Sequence, residues 1–162
     1  MTAFIGPFNP ALDLKLEREI DVPVHLVWKA WTTPAHLKKW FVPKPWSVTE
    51  CEIDLRPGGI FRTVMRSPEG EEFDSPGCYL DVVPHERLVF TDALLPGFRP
   101  AAKPFFTGAL LLAPLVNGTR YTALAIHNDE ATRASHEQMG FHDGWGTVAT
   151  QLAEYIKSGA IH

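Results

Sequence analysis

The chain has 162 residues, 45% of them hydrophobic, which is one domain's length with enough apolar side chain for a full core. Fifteen Lys and Arg against 19 Asp and Glu give a formal charge of −4, and no basic run exceeds two residues, which excludes an electrostatic nucleic-acid surface. Two cysteines do not make a disulfide framework, and no apolar stretch approaches the roughly 20 residues of a membrane-spanning helix.

Met1 to Pro10 has no basic leader and is broken by Gly6, Pro7 and Pro10, so residues 1–11 are expected to be an N-terminal arm, not a signal peptide. A single domain is expected over 12–162. Leu12 to Asp21 alternates apolar and polar side chains, the period of a half-buried strand. Pro23 suits the first turn of a helix whose apolar face is Val24, Val27, Trp28 and Trp31. Thr33-Pro34 restarts the pattern with Thr33 as the expected N-cap, and Leu37, Trp40 and Phe41 form the next apolar face until Pro43 and Pro45 stop it.

From residue 47 the period falls to two. Strands are predicted over 47–55, 60–66, 77–83, 87–92, 107–113 and 119–127, joined by turns such as Arg56-Pro57-Gly58-Gly59 and Ser67-Pro68-Glu69-Gly70. On the strand at 60–66, Phe61, Thr63 and Met65 share a face; on the last strand, Tyr121, Ala123, Ala125 and His127 do. Residues 94–106 contain Pro96, Pro100, Pro104 and Gly97 among Leu94, Leu95, Phe98, Phe105 and Phe106. This segment cannot be a central strand, and it reads as either a lid or an interface, a homodimer contact included. Asp129 can cap a final helix with Phe141, Trp145, Val148, Ala149, Leu152 and Ile156 at helical spacing. Gly140, Gly144 and Gly146 predict a break, kink or close contact within it.

The predicted order is α+β: one strand, two short helices, about six further strands and a long C-terminal helix. A curved antiparallel sheet of six or seven strands wrapped around that helix is the helix-grip architecture. The chain also resembles a known family, the bacterial homologues of the heat-shock-protein ATPase activator within the START-like, birch-pollen-allergen-like (SRPBCC) superfamily. The resemblance rests on Val27 to Leu37 with Trp40-Phe41, Asp54 to Phe61, Glu69-Gly70-Glu71, Gly77 with Tyr79, Pro84 to Phe90, Gly118-Thr119-Arg120 and Gly144-Trp145. It implies the same helix-grip fold, and superfamily members bind lipids, hormones and other apolar molecules.

A curved sheet and a helix leave a gap unless large side chains fill it. Ala123 and Ala125, if concave, leave room opposite the long helix. The expected ligand site is therefore Trp31, Trp40, Phe61, Thr63, Met65, Tyr121, Ala123, Ala125, His127, Phe141 and Trp145, with Tyr121 and His127 as polar handles. The expected partner is a small apolar molecule or lipid. No catalytic residue is assigned, since no nucleophile elbow or Ser-His-Asp set is present. No metal site is assigned either, because His136 and His142 are six apart and helical ligand pairs sit at three or four. No cofactor is implied, and a cytoplasmic location is expected. The alternatives are an enzyme (a cyclase, hydratase or hydrolase acting on an apolar carbonyl compound) and a chaperone-regulating interaction module.

Overall fold

The computed structural model describes residues 5–162, so the first four residues of the expected arm lie outside the described residues. Strand β1 (Asp13–Ile20) leads into helix α1 (Val24–Thr32) and the single turn α2 (Pro34–Leu37). Strands β2 (Ser47–Ile53), β3 (Ile60–Arg66), β4 (Glu72–Val83) and β5 (Arg87–Thr91) follow as a meander. A small hairpin, β6 (Leu94–Leu95) and β7 (Arg99–Pro100), precedes β8 (Thr107–Leu115) and β9 (Gly118–Ile126). Helices α3 (Glu130–Gln138) and α4 (Phe141–Lys157) complete the chain.

Seven strands form one antiparallel sheet in the order β1-β9-β8-β5-β4-β3-β2. The connection from β1 to β2, the two edge strands of the sheet, carries α1 and α2, so both short helices span from one edge to the other. The alternation read from the sequence decides which face is inside. Leu14 and Leu16 of β1, Leu88 of β5, Leu110 and Leu112 of β8, and Tyr121, Ala123 and Ala125 of β9 all belong to the main core with Ala149, Leu152 and Ile156 of α4. The opposite face holds a smaller cluster of Val89, Ala109 and Leu124, against which Ile5 of the arm packs. The fold is the expected helix grip.

Several local expectations change. α2 ends at Leu37, and Thr33 takes the N-cap position without a side-chain hydrogen bond, so Trp40 and Phe41 lie in the following turns and not on a helix. β4 begins at Glu72, not Gly77. Its first half pairs with β3 alone, because β5 reaches only to Cys78; Pro76 can therefore sit in a strand whose other side is open. Asp129 does cap a helix, accepting from Thr132 N–H at 2.7 Å, but that helix is the short α3. The chain then breaks at Gly140, whose φ of 95° an L side chain rarely adopts. At Gly146 an added Cβ would lie 2.6 Å from Arg18 Nη2, so α4 crosses β1 where the helix has no side chain.

One side chain ties α4 to the turns after α2. Gln151 Nε2 donates to the Trp40 and Val42 carbonyls at 3.0 and 2.7 Å, and its Oε1 accepts from Lys44 N–H at 3.0 Å. Gln151→Ala leaves these backbone groups without their partner. It is expected to lower stability by about 1–2 kcal/mol, measured by urea unfolding.

Candidate ligand cavity

A cavity of about 420 Å³ opens between the concave face of the sheet and the first half of α4. Its size falls in the range of ordinary small-molecule sites. The floor is Met65 of β3, Ser75 of β4, Phe90 of β5, and Tyr121 and Ala123 of β9. Trp31 of α1 and Phe41, Val42 and Pro43 of the following turns form one side. Phe141, Gly144, Trp145 and Val148 of α4 form the roof, with Met139 and Gly140 at the break before it and His136 of α3 beside them. Small residues line the gap from both layers: Ala123 on the sheet and Gly144 on the helix, where a Cβ would meet nothing within 4 Å.

Aromatic rings fix the walls. Trp31 meets Trp40 and Phe41 edge-on at 5.2 and 5.4 Å between ring centroids, and Phe141 and Trp145 lie 4.5 Å apart. The segment 94–106 divides into two parts. Its first part is the β6–β7 hairpin, which docks on the Arg56-Pro57-Gly58-Gly59 turn: Gly97 N–H donates to Gly58 O at 2.8 Å, and the Phe98 ring covers Gly58. Its second part, Phe105 and Phe106, lines the cavity. Asp92 Oδ1 accepts from both of their backbone N–H groups, at 2.8 and 3.1 Å, and so holds the pair in place.

Besides Ser75, polar side chains interrupt the apolar lining at Tyr121 and His136. Trp31 Nε1 donates to Tyr121 Oη at 3.3 Å. Burial raises the Tyr121 phenol well above its ordinary range, so it stays protonated and its own O–H is left to donate. His136 is 7% exposed, and its Nδ1 lies 2.9 Å from Nε2 of His127. Burial, with His127 beside it, lowers the His136 pKa to about 4, so this ring is neutral near pH 7. A wider hollow of about 490 Å³, lined by Asp21, His25, Asn117 and their neighbours beside the β8–β9 turn, lies on the surface.

Of the side chains expected at the site, Trp31, Met65, Tyr121, Ala123, Phe141 and Trp145 line the cavity. Trp40, Phe61, Thr63, Ala125 and His127 are buried but do not line it. Phe41 meets both Trp40 and Phe61 edge-on, at 5.6 and 6.0 Å between centroids, and Phe61 also stacks on Tyr79 at 5.2 Å. His127 has His136 and Phe106 against its ring. Sequence reasoning left Phe90 and His136 out of the site. Phe90 shared the inward face of its strand with Leu88, a readable signal; the pairing of His136 with His127 left none, because it depends on where α3 docks.

The profile of the family described as "Activator of Hsp90 ATPase homolog 1-like protein" matches residues 21–157. The chain belongs to this family. A solved structure of a Nitrosomonas europaea protein is 53% identical, with a TM-score of 0.92 over 94% of this chain and 98% of that one. An AHSA1-like protein of Aeromonas hydrophila is 21% identical with a TM-score of 0.70, covering 91% and 94% of the two chains. A Mycobacterium smegmatis protein is 22% identical with a TM-score of 0.78, covering 92% and 93%. The last two likenesses concern the fold alone. No curated protein matches the chain. Among the described residues no helix is long and apolar enough to cross a membrane.

Proposed function

We propose that this AHSA1-like protein binds a small apolar molecule in the cavity between its sheet and α4. The observation that carries this reading is a 420 Å³ space whose lining is almost wholly aromatic and aliphatic, interrupted by few polar groups. Burying apolar ligand surface there stabilises the complex by roughly 25 cal/mol per Å² before association costs. The Tyr121 hydroxyl, left with a proton to donate, orients a ligand acceptor such as a carbonyl oxygen.

Regulation of a chaperone ATPase, the activity in the family's description, is the competing reading. It needs an apolar contact surface, and the residues 94–106 were the expected source. Phe105 and Phe106 turn to the cavity instead, leaving Phe98 as the half-exposed aromatic of that segment.

The test is titration with N-phenyl-1-naphthylamine, whose fluorescence rises on leaving water. A saturable rise at one probe per chain, with an increase in Tm, is expected. Tyr121→Phe should leave that probe's affinity unchanged but weaken 2-acetonaphthone, which carries a carbonyl, about five- to ten-fold. No saturable binding of either compound by the folded protein removes the proposal.

A further inference from the structure

The hydrogen-bond pattern around His136 specifies more about the ligand than its apolarity. His127 Nδ1 lies 2.7 Å from the backbone carbonyl of Leu12, just before β1. A carbonyl oxygen only accepts, so His127 Nδ1 carries a hydrogen. A neutral imidazole has one N–H, which makes His127 Nε2 an acceptor. That atom faces His136 Nδ1 at 2.9 Å, so His136 Nδ1 must be the donor. The single hydrogen of neutral His136 is then used, and its Nε2 is a bare lone pair.

The rest of the site agrees with this polarity. His136 is 7% exposed, lines the cavity, and its side chain makes no other hydrogen bond among the described residues. Rings of Phe105, Phe106, Phe141 and Trp145 surround it at centroid distances of 4.8 to 6.0 Å. Such surroundings disfavour the imidazolium of His136 and keep that ring neutral near pH 7, in line with its lowered pKa. On a side chain more than nine-tenths buried, a nitrogen with no partner among the described residues gains most from a ligand that brings the missing donor.

We infer that His136 Nε2 is the hydrogen-bond acceptor of the cavity, set in that state by the His127–Leu12 relay, and that the ligand is an apolar molecule bearing a hydroxyl group. The inference rests on the cavity reading above and adds the chemical class of its occupant. His136 contacts the ligand. His127 is a positioning residue, which fixes the tautomer without touching the ligand.

The experiment compares 2-naphthol with 2-methoxynaphthalene, which has the same ring system and an oxygen acceptor but no donor. The wild-type protein is expected to bind 2-naphthol about ten-fold more tightly. His136→Phe should abolish that preference while retaining the methyl ether. Because this variant alters the docking of α3, long-range proton–nitrogen NMR on the wild-type protein reads the tautomer directly. His136 Nδ1 should appear as the protonated nitrogen and Nε2 as the unprotonated one. Equal affinity for the two compounds, or the reverse tautomer, overturns the assignment and leaves the cavity reading standing. Binding of neither compound overturns both.

Discussion

Gly144→Phe is expected to lower the affinity for an apolar probe at least about ten-fold without lowering stability. Gly144 lies on α4 at the roof of the cavity, and a Cβ built there meets nothing within 4 Å, so a new ring can extend into the space the ligand would fill. Loss of ten-fold in affinity corresponds to about 1.4 kcal/mol. Stability does not fall, because glycine is itself the poorest helix residue after proline, and any other side chain gains helix propensity. Gly144→Ala is the control. One methyl group occupies little of the cavity, so binding persists while stability rises by roughly 0.5–1 kcal/mol. Titration with N-phenyl-1-naphthylamine and urea unfolding of both variants check this. Full affinity in a well-folded Gly144→Phe protein would place the ligand elsewhere.

Acid is expected to weaken the fold through His136 over a defined window. An unfolded histidine titrates near pH 6.5, whereas His136 in the folded protein does so at about 4, chiefly because burial disfavours its charge and secondarily because His127 lies against it. Between those values the unfolded chain holds a proton that the folded chain does not. Stability therefore falls as pH drops from about 6.5 toward 4 and is flat with respect to this group above pH 7. The whole difference is on the order of 3 kcal/mol, of which roughly 2 kcal/mol is lost by pH 5. The comparison is urea unfolding of the wild type and His136→Phe between pH 7.5 and 5, a range in which most carboxylates remain ionised. The wild type should lose stability with the stated slope and the variant should lose little. Parallel curves would mean that His136 is not held neutral by its surroundings.

Much of the fold was legible because burial enforces a period. Leu14 and Leu16, or Tyr121, Ala123 and Ala125, repeat every second residue because one sheet face meets α4 and the other does not. The start of β4 was not legible, since Glu72 to Ser75 is exposed, with Phe73 its single apolar residue, and pairs on one side only. The division into α3 and α4 was half legible: three glycines announced an irregularity, but only the left-handed φ of Gly140 fixes where it falls. For the site, the period identified which side of β9 carries Tyr121 and Ala123. It says nothing of which inward residues lie beneath another ring. Phe41 against Phe61 and His136 against His127 are tertiary contacts between segments far apart or separated by a turn, and no local pattern encodes them.

Helix α3 has nine residues, fewer than the roughly 12–15 that an isolated helix needs to persist in water. Its buried residue is His136, and its N-terminal cap is Asp129. The helix therefore depends on its anchorage to the rest of the domain, and that anchorage includes the histidine pair. Until α3 has docked, His136 Nδ1 has no partner to select its tautomer, and the cavity lacks its acceptor. The coil-to-helix transition of residues 130–138 and the creation of a binding-competent nitrogen are thus a single cooperative event.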